Sequence, residues 1–373
     1  MAAKIGAPLT MIALAALLLW SAAAQEIAAP GAGGNSSYAY FVMVGPIDAA
    51  RTYRAWLFSA VAMANRLRGL GSGADIVVLC AARRDGAKRP GDAGARLTAV
   101  EESALAAARC RWRYVEPPTA GRKSGYHMGH YKLLAWQHVE YDVVQLLDAD
   151  LLPTAAMDRL FELPRLAGAE VVACPGKVSA LNAGWLALTP SLERFAGLVA
   201  SVDGRLARLD RDKPFGHALP SWFAANKDRQ PPGWKFFDSF GNQGHMYSYF
   251  RFDVQNLAMI FDGPRNGVEL LHYAGAGEPA FAAPSAAVRA ILDSGFPCPF
   301  PARSSSARAQ IALAYHHFTG ASKPWSKFRP QNPRNLAWYV AVSRDLTDAA
   351  PLRALFPDVD DHLAVLRPLV NKK

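Results

Sequence analysis

The chain has 373 residues, 51% of them apolar and 10% aromatic. That is enough to bury a large α/β core, and it excludes a disordered or fibrous protein. Lys and Arg total 41 against 31 acidic residues, a net charge of +10. The basic residues are scattered, Arg83-Arg84 and Arg122-Lys123 being the densest pairs. Without a long basic run or a nucleic-acid motif, the charge argues for a basic surface attracting anionic small molecules, with no nucleic-acid partner.

The amino terminus stands apart from the fold. Residues 5–24 carry no charge and centre on Met11 to Trp20, with Lys4 before them and Ser21 to Ala24 as a small-residue cleavage site. The stretch reads as a signal peptide or signal anchor over residues 1–24, just long enough to span a bilayer. Lys4 on the short side directs the rest of the chain to the lumen. Residues 25–37 form a flexible stem with an N-glycosylation sequon at Asn35-Ser36-Ser37. The expected location is the secretory pathway: membrane-held if the segment stays, secreted if it is cut. The cysteines Cys80, Cys110, Cys174 and Cys298 form no Cys-x-x-Cys pair, so zinc is not indicated. An oxidising lumen permits one or two disulfides, without assigning them.

Tyr38 to Val44 reads as a first strand, ending at Gly45-Pro46. Tyr53 to Leu67 has helical spacing, with Trp56, Ala60, Met63 and Leu67 on one face. Asp75 to Cys80 is a second strand, so the three make a βαβ unit. Gly-x-Gly-x-x-Gly and Gly-Lys-Ser/Thr are both missing, which disfavours a dinucleotide fingerprint and a P-loop. A helix over 98–109 opens with Thr98 and with Glu101 three residues on, a capping-box pattern. Arg111 to Val115 is a third strand. Arg122 to His138 leads into a helix carrying Lys132.

Val143 to Leu147 is an apolar run around one glutamine, the pattern of a strand buried on both faces. It ends in Asp148 and Asp150, before Pro153. In extended chain, residues two apart point the same way. Two carboxylates therefore leave the carboxyl end of a core strand together, the edge where open α/β sheets bind ligands. Such a pair suits a hard divalent cation, and the cation suits a diphosphate. Asp-x-Asp alone is a short motif, more often a pair of solvated loop acids.

Thr154 is expected to cap a helix through Leu163, and residues 170–174 form a strand. Asn182 and Gly184 open a buried run to Pro190, where the glycine permits close backbone approach. Residues 202–232 read as an irregular insertion that recognises an acceptor. A turn and helix follow over 236–246. His272 and His317 each end a strand, and only the second is followed by Gly320, Lys323, Pro324 and Trp325. An imidazole, a glycine turn and a lysine point charge fit together around a diphosphate.

Five of these segments together resemble glycosyltransferase family 8, the glycogenin-like and galactinol-synthase-like retaining transferases. They are Tyr38 to Leu67; Tyr131-Lys132 through Asp150; Asn182 to Ser191; Asn242-Gln243-Gly244; and His317 to Trp325. The resemblance implies a single-domain glycosyltransferase-A fold, α/β with a mixed, mainly parallel sheet flanked by helices, over residues 38–330 and a C-terminal extension over 331–373. It implies Mn²⁺ (or Mg²⁺) on Asp148, Asp150 and His317, and a UDP-sugar donor with a carbohydrate, glycoprotein or polyol acceptor. Tyr53, Asp148, Asn182, Ala183, Gly184, Asn242, Gly320 and Lys323 would bind substrate, with Lys132, Gln243 and Lys323 serving catalysis. A Golgi type II membrane protein fits this reading. The family's aspartate before Gln-Gly is here Asn242, and an amide is a poor nucleophile. The alternatives are an impaired sugar-nucleotide binder and a nucleotidyltransferase using the same carboxylates.

Overall fold

The computed structural model describes residues 27–28, 36–47, 53–82, 96–116, 128–176, 181–206, 242–263, 267–274, 280–298, 313–318, 323–324, 335–336, 338 and 340. Its centre is a sheet in the order β1-β4-β3-β2-β5-β8-β7-β9-β10-β11. These strands are β1 (Ile27–Ala28), β2 (Tyr38–Ile47), β3 (Asp75–Ala82), β4 (Arg111–Val115), β5 (Val143–Leu147), β7 (Val171–Cys174), β8 (Asn182–Leu188), β9 (Asn256–Gly263), β10 (Gly267–Ala274) and β11 (Ala280–Ala282). Two short strands, β6 (Leu151–Pro153) and β12 (Tyr315–His317), pair separately. β4, β3, β2 and β5 lie side by side in parallel, and β7, β9 and β11 run the same way. Only β1, β8 and β10 oppose them. The expected class, an α/β sheet of mixed and mainly parallel strands flanked by helices, is the one the chain adopts.

Alternation along the strands feeds two cores. Tyr40, Val42, Ile76 and Val78 face one side, where α1 (Arg54–Gly69) packs through Leu57, Phe58 and Val61. Phe41, Val77, Leu79 and Leu146 face the other. There a 3-10 helix (Met128–Gln137), α4 (Leu192–Leu206) and α5 (Asn242–Ser248) cover the sheet with Leu133, Trp136, Leu198 and Tyr247. Sheets buried on both faces need such continuous apolar strands, and all five residues of β5 are buried. α2 (Ala99–Ala107) has the expected capping box: Thr98 accepts from the Glu101 amide, and the Glu101 carboxylate accepts from the Thr98 amide. α3 (Leu163–Ala167) and α6 (Ala286–Ser294) complete the layers.

Several expectations change. The helix expected over 122–138 is a 3-10 helix from Met128, with 122–127 outside the described residues. Thr154 caps no helix. Its amide and hydroxyl donate to the carbonyls of Ala314 and Leu313, at 2.8 and 2.6 Å, and a 3-10 helix starts only at Asp158. Ile27 and Ala28 pair with Arg113 and Trp112 at the sheet edge. Trp338, in the expected C-terminal extension, is buried against Phe58 with ring centroids 5.7 Å apart. No helix among the described residues is long and apolar enough to cross a membrane. The apolar stretch over 5–24, most of the stem, and the insertion beyond residue 206 lie outside them. A disulfide joins Cys174, at the end of β7, to Cys298 after α6, while Cys80 and Cys110 are buried free thiols.

The lone glutamine of β5 has a structural task. Gln145 is fully buried, donates to the Met157 carbonyl at 2.9 Å and accepts from the Trp185 indole at 2.9 Å. It thereby ties β5 to β8 and to the loop after β6. Gln145→Leu would leave the Trp185 N–H buried and unpaired, and the Met157 carbonyl with the Leu160 amide as its donor. We expect it to cost about 1–3 kcal/mol in urea unfolding, with part recovered by adding Trp185→Phe.

Candidate active site

The site forms where β5 ends. The Asp148 amide donates to the Gly184 carbonyl of β8 (2.8 Å), and the Leu151 amide then donates to the Asp148 carbonyl (3.1 Å), turning the chain into β6. β6 pairs with β12 so that Leu151 stands opposite His317. One residue on, the Phe318 amide donates to the Asp150 carbonyl at 3.0 Å. This ladder, between segments far apart in sequence, sets the imidazole beside both carboxylates. His317 Nε2 is 3.2 Å from Asp150 Oδ1 and 3.5 Å from Asp148 Oδ2.

Two lysines close on the same carboxylates. Lys132 donates to Asp148 and, at 2.7 Å, to the Ala183 carbonyl. Lys323 donates to Asp150 and, at 2.6 Å, to the Phe318 carbonyl. The Ala183 amide donates to Gln243 Oε1 at 3.2 Å, so the start of α5 and the 3-10 helix both grip the start of β8. Asn182 Oδ1 accepts from the Gly184 amide at 2.7 Å. Gly184 is needed for space: a Cβ there would lie 2.7 Å from His317 Nδ1 and 2.8 Å from Asn182 Oδ1, closer than real Cβ atoms approach. Asp150 and His317 are buried, while the Asp148 side chain keeps 31% exposure and opens the cluster to solvent.

The electrostatics follow from this packing. Burial alone would hold His317 neutral, but the facing carboxylates of Asp148 and Asp150 overcome it and raise its pKa to about 9. Burial would likewise raise Asp148, but Lys132 and His317 hold it well below the usual carboxylate range. In the chain alone, the His317 shift stabilises the fold fully below pH ~6.5, and the contribution is lost as pH rises through about 9.

Ligand atoms from Asp148, Asp150 and His317 all lie within 4.8 Å of one another, and the three could hold a metal ion. Asp150 Oδ1 is buried with His317 Nε2 3.2 Å away, so once the imidazole is neutral a cation could take the place of its proton between the two. Two carboxylates and an imidazole are a hard-to-borderline donor set, suited to a divalent cation of the Mg²⁺ or Mn²⁺ kind.

The sequence-derived residues largely converge. Lys132, Asp148, Asp150, Asn182, Ala183, Gly184, Gln243, His317 and Lys323 form one connected network. Asn242 opens α5 next to Gln243, buried, with its side-chain NH₂ making no hydrogen bond. Gly320 lies outside the described residues. Tyr53 is drawn elsewhere: its buried hydroxyl donates to Glu101 at 2.9 Å, beside Arg54. His272 sits within the β9-β10-β11 ladder, half-buried, its pKa lowered by burial. One residue escaped sequence reading. Trp56, expected on the core face of α1, is only partly buried and presents its ring to Lys323 Nζ at 5.3 Å from the centroid. Helical periodicity marks a face and does not say how far along it the core extends.

The sequence matches no protein-family model and no curated protein. Solved structures with a similar course of chain include a galactosyltransferase, LgtC, in complex with donor and acceptor sugar analogues: 13% identity, 86% of this chain and 100% of that one, TM-score 0.44. They also include the bifunctional glycosyltransferase WbbM (11%, 89% and 53%, 0.46) and the glycosyltransferase GlyE of Streptococcus pneumoniae TIGR4 (15%, 87% and 64%, 0.42). At these TM-scores the likenesses carry no functional weight, and function is argued from the site itself.

Two outcomes are expected. Gly184→Ala should abolish Mn²⁺ binding in calorimetry, through displacement of His317, while far-UV circular dichroism keeps its wild-type form. Metal binding requires the neutral imidazole. Mn²⁺ affinity should therefore rise with pH between 6.5 and 8.5, by up to about tenfold per unit, and His317→Gln should flatten that slope.

Proposed function

We propose that the protein is a metal-dependent, retaining glycosyltransferase that moves a hexosyl or pentosyl group from a UDP-sugar to a carbohydrate, glycoprotein or polyol acceptor. The observation that carries this reading is the convergence of Asp148, Asp150 and His317 with two lysines at the carboxyl end of β5. Paired carboxylates, an imidazole and flanking ammonium groups suit a cation-bridged diphosphate. A glycosyltransferase-A arrangement would put the sugar nucleotide at this strand end.

Asp148, Asp150 and His317 would hold Mn²⁺ (or Mg²⁺), which when bound supplies positive charge to the departing diphosphate. The chain's own groups do the rest. Lys323, steadied by the Phe318 carbonyl, would neutralise charge growing on UDP as the anomeric C–O bond breaks. Lys132 would fix the Ala183 carbonyl and face the donor's phosphates or sugar. Asn182 and Gly184 would lie along the sugar, and Gln243 would keep β8 in register through the Ala183 amide. The acceptor hydroxyl would attack the anomeric carbon on the face UDP leaves, its proton passing to the leaving diphosphate oxygen. Asn242 offers an amide N–H to the donor and no carboxylate, so no covalent intermediate on that residue is invoked. The Cys174–Cys298 disulfide and the uncharged segment over 5–24 support a luminal or secreted enzyme.

The same Asn242 favours a second reading, a relative that binds sugar nucleotide without turning it over. UDP release from a panel of UDP-sugars, with and without Mn²⁺, separates the two. Transfer predicts Mn²⁺-dependent release from one donor, a product of retained anomeric configuration by NMR, and a loss with Asp150→Ala greater than the roughly 10–100-fold seen for outer-shell partners. Binding of UDP with Mn²⁺ but no release would favour the binder. An inverted product would exclude front-face attack, and no binding at all would overturn the site.

A further inference from the structure

We propose that Trp56 is a positioning residue for Lys323, its indole face holding the ammonium where the diphosphate of the donor is expected; this rests on the functional reading above. Lys323 Nζ stands 5.3 Å from the centre of the Trp56 ring, within the range at which an aromatic face attracts a cation. The Lys323 side chain is 14% exposed, so the attraction acts with little screening by water.

The need for the indole comes from the other contacts. Lys323 touches the Asp150 carboxylate and the Phe318 carbonyl. Asp150 is one of three groups that could hold a metal ion, and a carboxylate committed to a cation is a weaker anchor for an ammonium. The Phe318 carbonyl and the Trp56 ring remain independent of it. A lysine on a four-carbon stem loses much rotamer freedom when fixed. Trp56 supplies a fixed point from a rigid element: α1 is anchored in the core through Leu57, Phe58 and Val61. An apolar side chain there would fill the space without attracting the charge.

Two arms test this on the whole chain: Lys323 acylation by acetic anhydride, read by mass spectrometry, and binding of UDP with Mn²⁺, read by calorimetry. Trp56→Leu should speed acylation of Lys323 several-fold, whereas Trp56→Phe keeps it near wild type. Replacing Trp56 with 5-fluorotryptophan, which weakens the ring's negative face at nearly constant shape, should give an intermediate rate, an effect packing alone would not produce. Trp56→Leu should weaken UDP binding about tenfold, and should add nothing once Lys323→Ala is present. An unchanged acylation rate in Trp56→Leu would overturn the role. So would an equal affinity loss in the Lys323→Ala background, which would mean that the indole acts on the nucleotide itself. Wild type failing to bind UDP would sink the functional reading instead, and the acylation arm would then decide alone whether Trp56 holds Lys323.

Discussion

Three residue pairs between β6 and β12 set the geometry on which the site depends. β5 delivers Asp148 and Asp150 from the core, but a carboxylate pair at a strand end stays mobile and solvated without a third support. The β6-β12 ladder, extended by the Phe318 amide on the Asp150 carbonyl, supplies it. The same few hydrogen bonds fix the backbone at Asp150, the height of His317, and the carbonyl that receives Lys323. Pro153 fits here because β6 is an edge strand, where a missing donor costs little. Thr154 then locks the crossing by donating twice to the chain before β12.

Among the described residues, the site gathers more positive than negative groups, which explains its electrostatics. Lys132, Lys323 and an imidazolium face two aspartates. Buried charges persist when they are paired and hydrogen-bonded, and here each lysine also reaches a backbone carbonyl: Ala183 for Lys132, Phe318 for Lys323. Cations so arranged favour an anionic ligand at the open side, where Asp148 is partly exposed. The positive balance of the chain has the same sign, but this local excess is the feature that bears on chemistry.

What the sequence made legible was local. The apolar run of β5 between polar boundaries, the Asp-x-Asp at its end and the capping box at Thr98 depend on neighbours within a few residues, and each is found in the structure. What stayed hidden depended on contacts between distant segments. Nothing near Gln145 announces that Trp185 needs its oxygen. His272 and His317 lie in strands of similar local sequence; the segment after His317 sets it apart, but the physical reason is the partner strand: β12 lies against β6, while β10 lies among β9 and β11. Thr154 looked like a cap because Ser, Thr, Asp and Asn often are, but a hydroxyl serves whichever partner the tertiary fold brings near.

Tyr53 and Trp56 show how helix geometry divides labour between adjacent turns. Glu101 belongs to the capping box of α2, yet its carboxylate also reaches Tyr53 and Arg54 where α1 begins. That binding draws Tyr53 into the protein and fixes the rotation of α1 about its own axis. Residues three apart on a helix share a face, so with Tyr53 drawn inward Trp56 follows one turn on, at the rim, where the core ends and Lys323 arrives. A motif that caps one helix thus orients a second, and through it the aromatic face that meets a cation of the site.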